Sequence, residues 1–250
     1  MQKQKCFAAL AAVIFAGAVI SGCAAEKIPD SPEAVHSAAV AHSLVSTGNT
    51  CRLGRVFEKA AGGEDITFAY VGGSITEGYS VGARAPECYA SLSASEFETA
   101  YCTGGTVTCQ NNGLSGTPSV LGNLRAGSEV LPSQPDIIFI EFAVNDSNDP
   151  LCQSSYESLV RSCLEAPNAP AVILLFICME NGRCCQEQQQ EIGAYYDLGM
   201  ISVRDGIQPE LDEGRMLWSD FGADDVHPSK DGHRLIADMI ANYFTAAKAK

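Results

Sequence analysis

The chain has 250 residues, 16 Lys and Arg against 30 Asp and Glu, a formal charge of −14, and 46% apolar residues. That length fits one large domain or two small ones, and the apolar content excludes disorder as the main state. The acidic balance argues against nucleic acid as a partner, because phosphate binding needs clustered Lys and Arg, and more weakly against docking on anionic headgroups.

In chain order, Lys3 and Lys5 precede an apolar run of 14 residues, Phe7 to Ile20. That run is too short for a comfortable membrane span and right for a signal-peptide core. It ends in Ile20-Ser21-Gly22-Cys23, which resembles the lipobox of bacterial lipoprotein signals. The resemblance implies a signal peptide over residues 1–22 and lipidation of Cys23. It also implies export to the outer face of a bacterial membrane, held there by acyl chains and not by a spanning helix. Residues 23–49 are rich in Ala, Ser and Pro without a clear period and are expected to form a tether, leaving 50–250 as one folded domain. Nine cysteines, Cys51 to Cys185, lie beyond the signal and the lipidated position. None is spaced Cys-x-x-Cys, so no structural zinc site is expected. Mostly buried free thiols are expected, with one or two bridges at most and no assignable pairing.

Within the domain, strand-like and helix-like segments alternate. Ile66–Val71 is a short apolar run ending at Gly72-Gly73, followed by a helix-like stretch over about Glu87–Ala100. Thr106–Gln110 is a candidate second strand, and Asp136–Phe142 is the clearest strand, apolar on both faces. A helix follows with Tyr156, Leu159, Val160, Cys163 and Leu164 at spacings of three and four. Ala171–Cys178 is another doubly buried strand, with a Gln/Glu-rich helix over about Cys185–Leu198 and a short strand at Met200–Val203. The last helix, about Lys230–Ala247, puts Leu235, Ile236, Met239, Ile240, Tyr243 and Phe244 on one stripe. Doubly apolar strands separated by amphipathic helices predict an α/β fold, a three-layer α/β/α sandwich on a parallel sheet of about five strands. Chemistry in such a sheet belongs at the carboxyl ends of its strands.

Gly72-Gly73-Ser74-Ile75-Thr76-Glu77-Gly78 follows the first strand. A P-loop would need a Lys-Ser/Thr pair, a dinucleotide turn Gly-x-Gly-x-x-Gly, and a nucleophile elbow Gly-x-Ser-x-Gly; none of the three is present. What remains is a strand–Ser–helix turn of another type, or a Gly-rich turn with an incidental Ser. Asn111-Asn112-Gly113-Leu114-Ser115-Gly116-Thr117 follows the second strand and Ala143-Val144-Asn145-Asp146 the third, each a plausible loop on its own. Asp224-Asp225-Val226-His227-Pro228 precedes the last helix, and a carboxylate three residues before an imidazole is placed to orient it. His36 and His42 fall in the tether, so a base in the domain is His227 or His233. His233 reads as a surface residue of the last helix. Trp218, nine residues before His227, is a candidate sugar-stacking wall or a core residue.

Taken together, Ser74, Gly116, Asn145 and Asp224-x-x-His227 in this order resemble the SGNH (GDSL-like) hydrolase superfamily of esterases and acylhydrolases. The resemblance runs over about residues 66–247, with blocks YVGGSITEG, GLSGTPS, IEFAVND and DVHP. It implies a flavodoxin-like fold and a triad of Ser74, His227 and Asp224. It also implies an oxyanion hole from the backbone N–H groups of Ser74 and Gly116 and the side-chain amide of Asn145. No metal and no organic cofactor are implied. Gly73 replaces the family's Asp, Ala143 replaces a Gly, and Asp225 stands beside Asp224. The expected activity is ester hydrolysis through an acyl-enzyme, first as a polysaccharide O-deacetylase acting on an acetylated glycan. The alternatives are a lipase-, lysophospholipase- or thioesterase-type acylhydrolase, and a non-catalytic glycan-binding surface lipoprotein. The sequence is silent on oligomeric state.

Overall fold

A computed structural model describes residues 31–250. The signal segment and Cys23 lie outside the described residues. The chain begins with helix α1 (Pro32–His42), whose first turn is capped by the Ser31 side chain, and strand β1 (Leu44–Ser46). Helix α2 (Cys51–Ala61) leads into β2 (Ile66–Gly72), the single turn α3 (Ser74–Glu77) and α4 (Tyr89–Tyr101). Then come β3 (Val107–Asn111), α5 (Ser119–Arg125), β4 (Ile137–Glu141), α6 (Pro150–Leu164) and β5 (Ala171–Phe176). The chain ends with α7 (Gln186–Tyr195), β6 (Gly199–Ser202), α8 (Val203–Asp212), the short α9 (Trp218–Phe221) and α10 (Lys230–Lys248).

The six strands lie in the order β1-β6-β5-β4-β2-β3. Five are parallel, as the doubly apolar strands predict; β1 joins the edge antiparallel to β6. Every residue of β4, β5 and β6 is buried, which requires helices on both faces. Helices α2, α4 and α10 pack together on one face, and α5, α6 and α7 follow one another on the other. On the first face Phe97 and Phe244 meet Phe68 of β2, and Phe57 packs on both of them, with ring centroids 4.9–6.3 Å apart, so three helices share one aromatic cluster over the sheet. The stripe predicted for α10 is buried in full. Helix α6 starts where Asp149 accepts hydrogen bonds from the backbone N–H groups of Leu151 and Cys152, with Pro150 in the first turn.

Two readings are corrected. Residues 32–46, expected in the tether, are folded onto the domain as α1 and β1. Val35 and Ala39 are buried, His36 lies 3.0 Å from Asp238 of α10, and Asn242 of α10 donates to the Val40 carbonyl. With two buried positions in eleven, α1 carries too faint a stripe to read as a period. His233 is buried, not on the surface, because the first turn of α10 faces the start of α4. All nine cysteines among the described residues are free thiols. Burial raises Cys88 to about 11 and Cys163 to about 12, so these thiols are held neutral.

Candidate active site

The carboxyl ends of β2, β3 and β4 and the loop before α10 converge. Strand β2 ends at Gly72, and α3 begins two residues later with Ser74. Gly72, which ends the strand, and Gly73, which joins it to the helix, are both closely packed. A Cβ on Gly72 would lie 2.0 Å from Thr76 Oγ1, and one on Gly73 would lie 2.1 Å from Asn145 Oδ1. The Asn145 amide occupies the space beside Gly73, so a side chain at 73 would require that amide to shift.

Ser74 is largely buried, and its hydroxyl lies 2.9 Å from His227 Nε2. His227 Nδ1 lies 2.9 Å from Asp224 Oδ2 and 3.1 Å from Oδ1. A carboxylate only accepts, so Nδ1 carries the proton and donates to Asp224, and Nε2 is left to accept from the Ser74 hydroxyl. Asp224 Oδ1 also accepts the backbone N–H groups of Val226 (2.8 Å) and His227 (2.6 Å). Partial burial pushes the Asp224 carboxyl up, but the hydrogen bonds from His227 and Val226 outweigh it and hold the carboxyl below its ordinary value. The neighbouring Asp225 instead gives its backbone carbonyl to the Glu180 N–H.

Asn145 sits in the loop after β4, its backbone N–H bonded to the Phe142 carbonyl and its Oδ1 wedged against Gly73 without a hydrogen-bond partner. Asp146 anchors that loop by accepting from the Ser119 N–H of α5 and from Gln189 of α7. The buried Ala143 accepts the Cys185 N–H at 2.7 Å through its carbonyl. Gly116, with φ +73 and open space around its Cα, lies on the loop after β3. That loop is bound to β2 through Asn112 N–H to the Tyr70 carbonyl and Leu114 N–H to the Gly72 carbonyl. Cys23 falls outside the described residues. No group of three His, Cys, Asp or Glu among the described residues is placed to hold a metal ion.

Glu141 and Tyr79 escape the sequence reading, whereas Trp218 is named there as a sugar-stacking wall or a core residue and not as a brace. Glu141, fully buried at the end of β4, accepts from Thr76 Oγ1 at 2.8 Å, and Tyr89 in turn donates to Thr76. Burial pushes the Glu141 carboxyl up to about 7, against the opposing hydrogen bonds from Thr76 and the Gly73 N–H. The exposed Tyr79 lies with its ring centroid 4.7 Å from that of His227. Trp218 donates from its indole N–H to the Asp224 carbonyl at 2.7 Å, so it braces the loop that carries the carboxylate. The alternation of strand and Gly-rich loop signals this region but not these side chains, which reach the site from other elements.

The sequence profile of the GDSL-like Lipase/Acylhydrolase family matches residues 70–235. A two-domain esterase (CEX) active on acetylated mannans, solved with mannopentaose, is 32% identical with a TM-score of 0.80, over 84% of this chain and 57% of that one. This chain thus spans less than two thirds of that relative's length. A lipase/acylhydrolase from Enterococcus faecalis is 22% identical with a TM-score of 0.57, over 72% of this chain and 96% of that one. An acetyl-xylooligosaccharide esterase from Geobacillus is 18% identical with a TM-score of 0.60, over 73% of this chain and 95% of that one. At those last two identities the likeness is one of fold. No curated protein matches the chain. The profile spans more than half of the sequence: the chain belongs to the GDSL-like lipase/acylhydrolase (SGNH) family.

Proposed function

We propose that the protein removes acetyl groups from a polysaccharide, with Ser74 as nucleophile. The observation that carries this reading is the hydrogen-bonded series Ser74–His227–Asp224 at 2.9 Å per step. A neutral serine hydroxyl is a weak nucleophile and needs an adjacent base. His227 Nε2 takes the Ser74 proton as Oγ attacks the ester carbonyl, and returns it to the leaving sugar hydroxyl. Asp224 fixes the imidazole tautomer and stabilises the imidazolium that forms. The oxyanion of the tetrahedral intermediate is met by the backbone N–H groups of Ser74 and Gly116 and by Asn145 Nδ2. Wedging of Asn145 Oδ1 against Gly73 supports this, since it leaves the amide NH2 as the end free to donate. Water then enters on the acyl-enzyme, with His227 as base, and acetate leaves.

The choice of an acetylated glycan is supported by the relative active on acetylated mannans. The exposed Tyr79 ring beside His227 supports it too, because a flat aromatic face packs against the C–H face of a sugar. The sequence Ile20-Ser21-Gly22-Cys23 supports export and a lipid anchor on Cys23. Mass spectrometry of the membrane-extracted protein tests the anchor; an unmodified N-terminus overturns it.

The activity test compares p-nitrophenyl acetate, p-nitrophenyl octanoate and acetylated mannan as substrates, with the Ser74→Ala variant beside the unaltered protein. Acetate release that prefers the short acyl chain and vanishes in the variant is expected. A strong octanoate preference overturns the deacetylase reading in favour of a lipid or thioester acylhydrolase. Glycan affinity with no turnover of any ester overturns the enzyme reading.

A further inference from the structure

Glu77 ends the single turn that Ser74 begins, and it reaches the loop that carries Gly116. Its Oε2 accepts the Ser115 backbone N–H at 2.9 Å and also the Ser115 hydroxyl. Its Oε1 lies 3.7 Å from the guanidinium of Arg84. The same guanidinium donates to the Asn111 carbonyl at 3.0 Å and to the Gly113 carbonyl at 3.2 Å. Arg84 adopts φ +58, a left-handed conformation that a residue with a Cβ seldom takes, and its N–H is bonded to the Glu77 carbonyl at 2.7 Å. The two backbones are in direct contact, since a Cβ on Gly113 would lie 2.2 Å from the Glu77 nitrogen.

The loop from Asn111 to Ser115 is therefore tied to the nucleophile's helix by one carboxylate and one guanidinium. Gly116 is the next residue after the last tie. Leu114, Ser115 and Gly116 are exposed, so little core packing holds them in place. A donor to a developing oxyanion works only if it is aimed before the charge appears, and a displacement of about 1 Å at a reacting centre typically costs about 100-fold.

We propose that Glu77, clamped by Arg84, is a positioning residue that aims the Gly116 backbone N–H at the oxyanion. The clamp rests on the reading of Ser74 as nucleophile and Gly116 as oxyanion donor. Glu77 touches no substrate in this account, so its loss acts on turnover and leaves ground-state binding largely intact. A residue that only stabilised the fold would shift melting and spare kcat in the folded protein.

The test is steady-state hydrolysis of an acetyl ester by the full chain and its variants, with folding checked by circular dichroism. Glu77→Ala is expected to lower kcat by about 10- to 100-fold with KM within about threefold. Glu77→Gln keeps an acceptor for the Ser115 N–H and is expected to recover most of that loss. An alkylboronic acid, which forms a tetrahedral anionic adduct on a serine nucleophile, is expected to lose affinity in Glu77→Ala by the same factor as kcat. A folded Glu77→Ala variant with kcat within about twofold of the unaltered protein, or with its loss confined to KM, overturns the clamp. If Glu77→Ala does not fold, Arg84→Ala carries the same expectation and the same contrary result. Ser74→Ala, run in parallel, separates the two levels. Its inactivity beside a fully active Glu77→Ala overturns the clamp alone, whereas full turnover by Ser74→Ala overturns the underlying reading and the clamp with it.

Discussion

Two histidines six residues apart meet opposite surroundings. His227 lies on the loop before α10, with one ring nitrogen on Asp224 and the other on Ser74. His233 lies one turn into α10, fully buried. Its Nδ1 accepts the Tyr89 N–H at 3.3 Å, and its Nε2–H points at Ser80 Oγ, 3.4 Å away. Ser80 then donates to the Pro228 carbonyl at 2.5 Å. Burial, helped by the nearby His227, lowers His233 to about 4. One imidazole has a carboxylate ready to receive a positive charge; the other has none and is fixed as a neutral spacer. On the proposed mechanism the counter-charge is what distinguishes the base, although both rings belong to one connected region.

Removing the proposed nucleophile and base is expected to give the largest effects. Ser74→Ala and His227→Ala are each expected to lower kcat by about 10⁴- to 10⁶-fold, and combining them should cost little more than either alone. His233→Gln, measured beside them, should stay orders of magnitude more active than His227→Ala; the reverse order would exchange the roles of the two histidines. Asp224→Asn keeps the shape but lets the amide disturb the tautomer, and is expected to cost about 10²- to 10⁴-fold in kcat. Asp225→Asn should leave kcat near its original level, which tests the choice between the neighbouring carboxylates. Trp218→Phe deletes one hydrogen bond to the Asp224 carbonyl, worth about 0.5–1.5 kcal/mol, and should lower kcat a few-fold.

The comparison also has a stability signature. His233 is neutral in the folded chain down to about pH 4, whereas the unfolded chain takes up its proton near 6.5. Its contribution is fully present above pH 6.5 and falls by about 3 kcal/mol as pH drops toward 4. Glu141 acts in the opposite sense. Its folded value, raised to about 7, favours the native state at low pH, and that contribution is lost as pH rises from 4.5 through 7. The two slopes offset each other in the unaltered protein. Urea unfolding of His233→Gln should show stability declining as pH rises from 5 to 7, and Glu141→Gln should show it increasing. Parallel curves for both variants would place the titration elsewhere.

The sheet was legible because its chemistry is one-dimensional. Strands buried on both faces read as unbroken apolar runs, and β4 and β5 appear within two residues of their expected bounds. The meeting of Ser74 with His227 and Asp224 was legible only through the order of four short blocks. Other features were not legible, for stated reasons. The interior Pro209 obscures α8, α1 buries too few residues to show a stripe, and His233 is buried by a partner 144 residues away in sequence. Asn145 packing on Gly73, and Glu77 holding Ser115, join loops that follow different strands, and no local pattern encodes such contacts.

Intact and peptide mass spectrometry after exposure to p-nitrophenyl diethyl phosphate, an ester mimic that traps serine nucleophiles, is the most direct test. One diethylphosphoryl group on Ser74, its appearance matching the loss of esterase activity, is the predicted result. An adduct on another residue that tracks the loss of activity, or full inactivation with Ser74 unmodified, would contradict the assignment of the nucleophile.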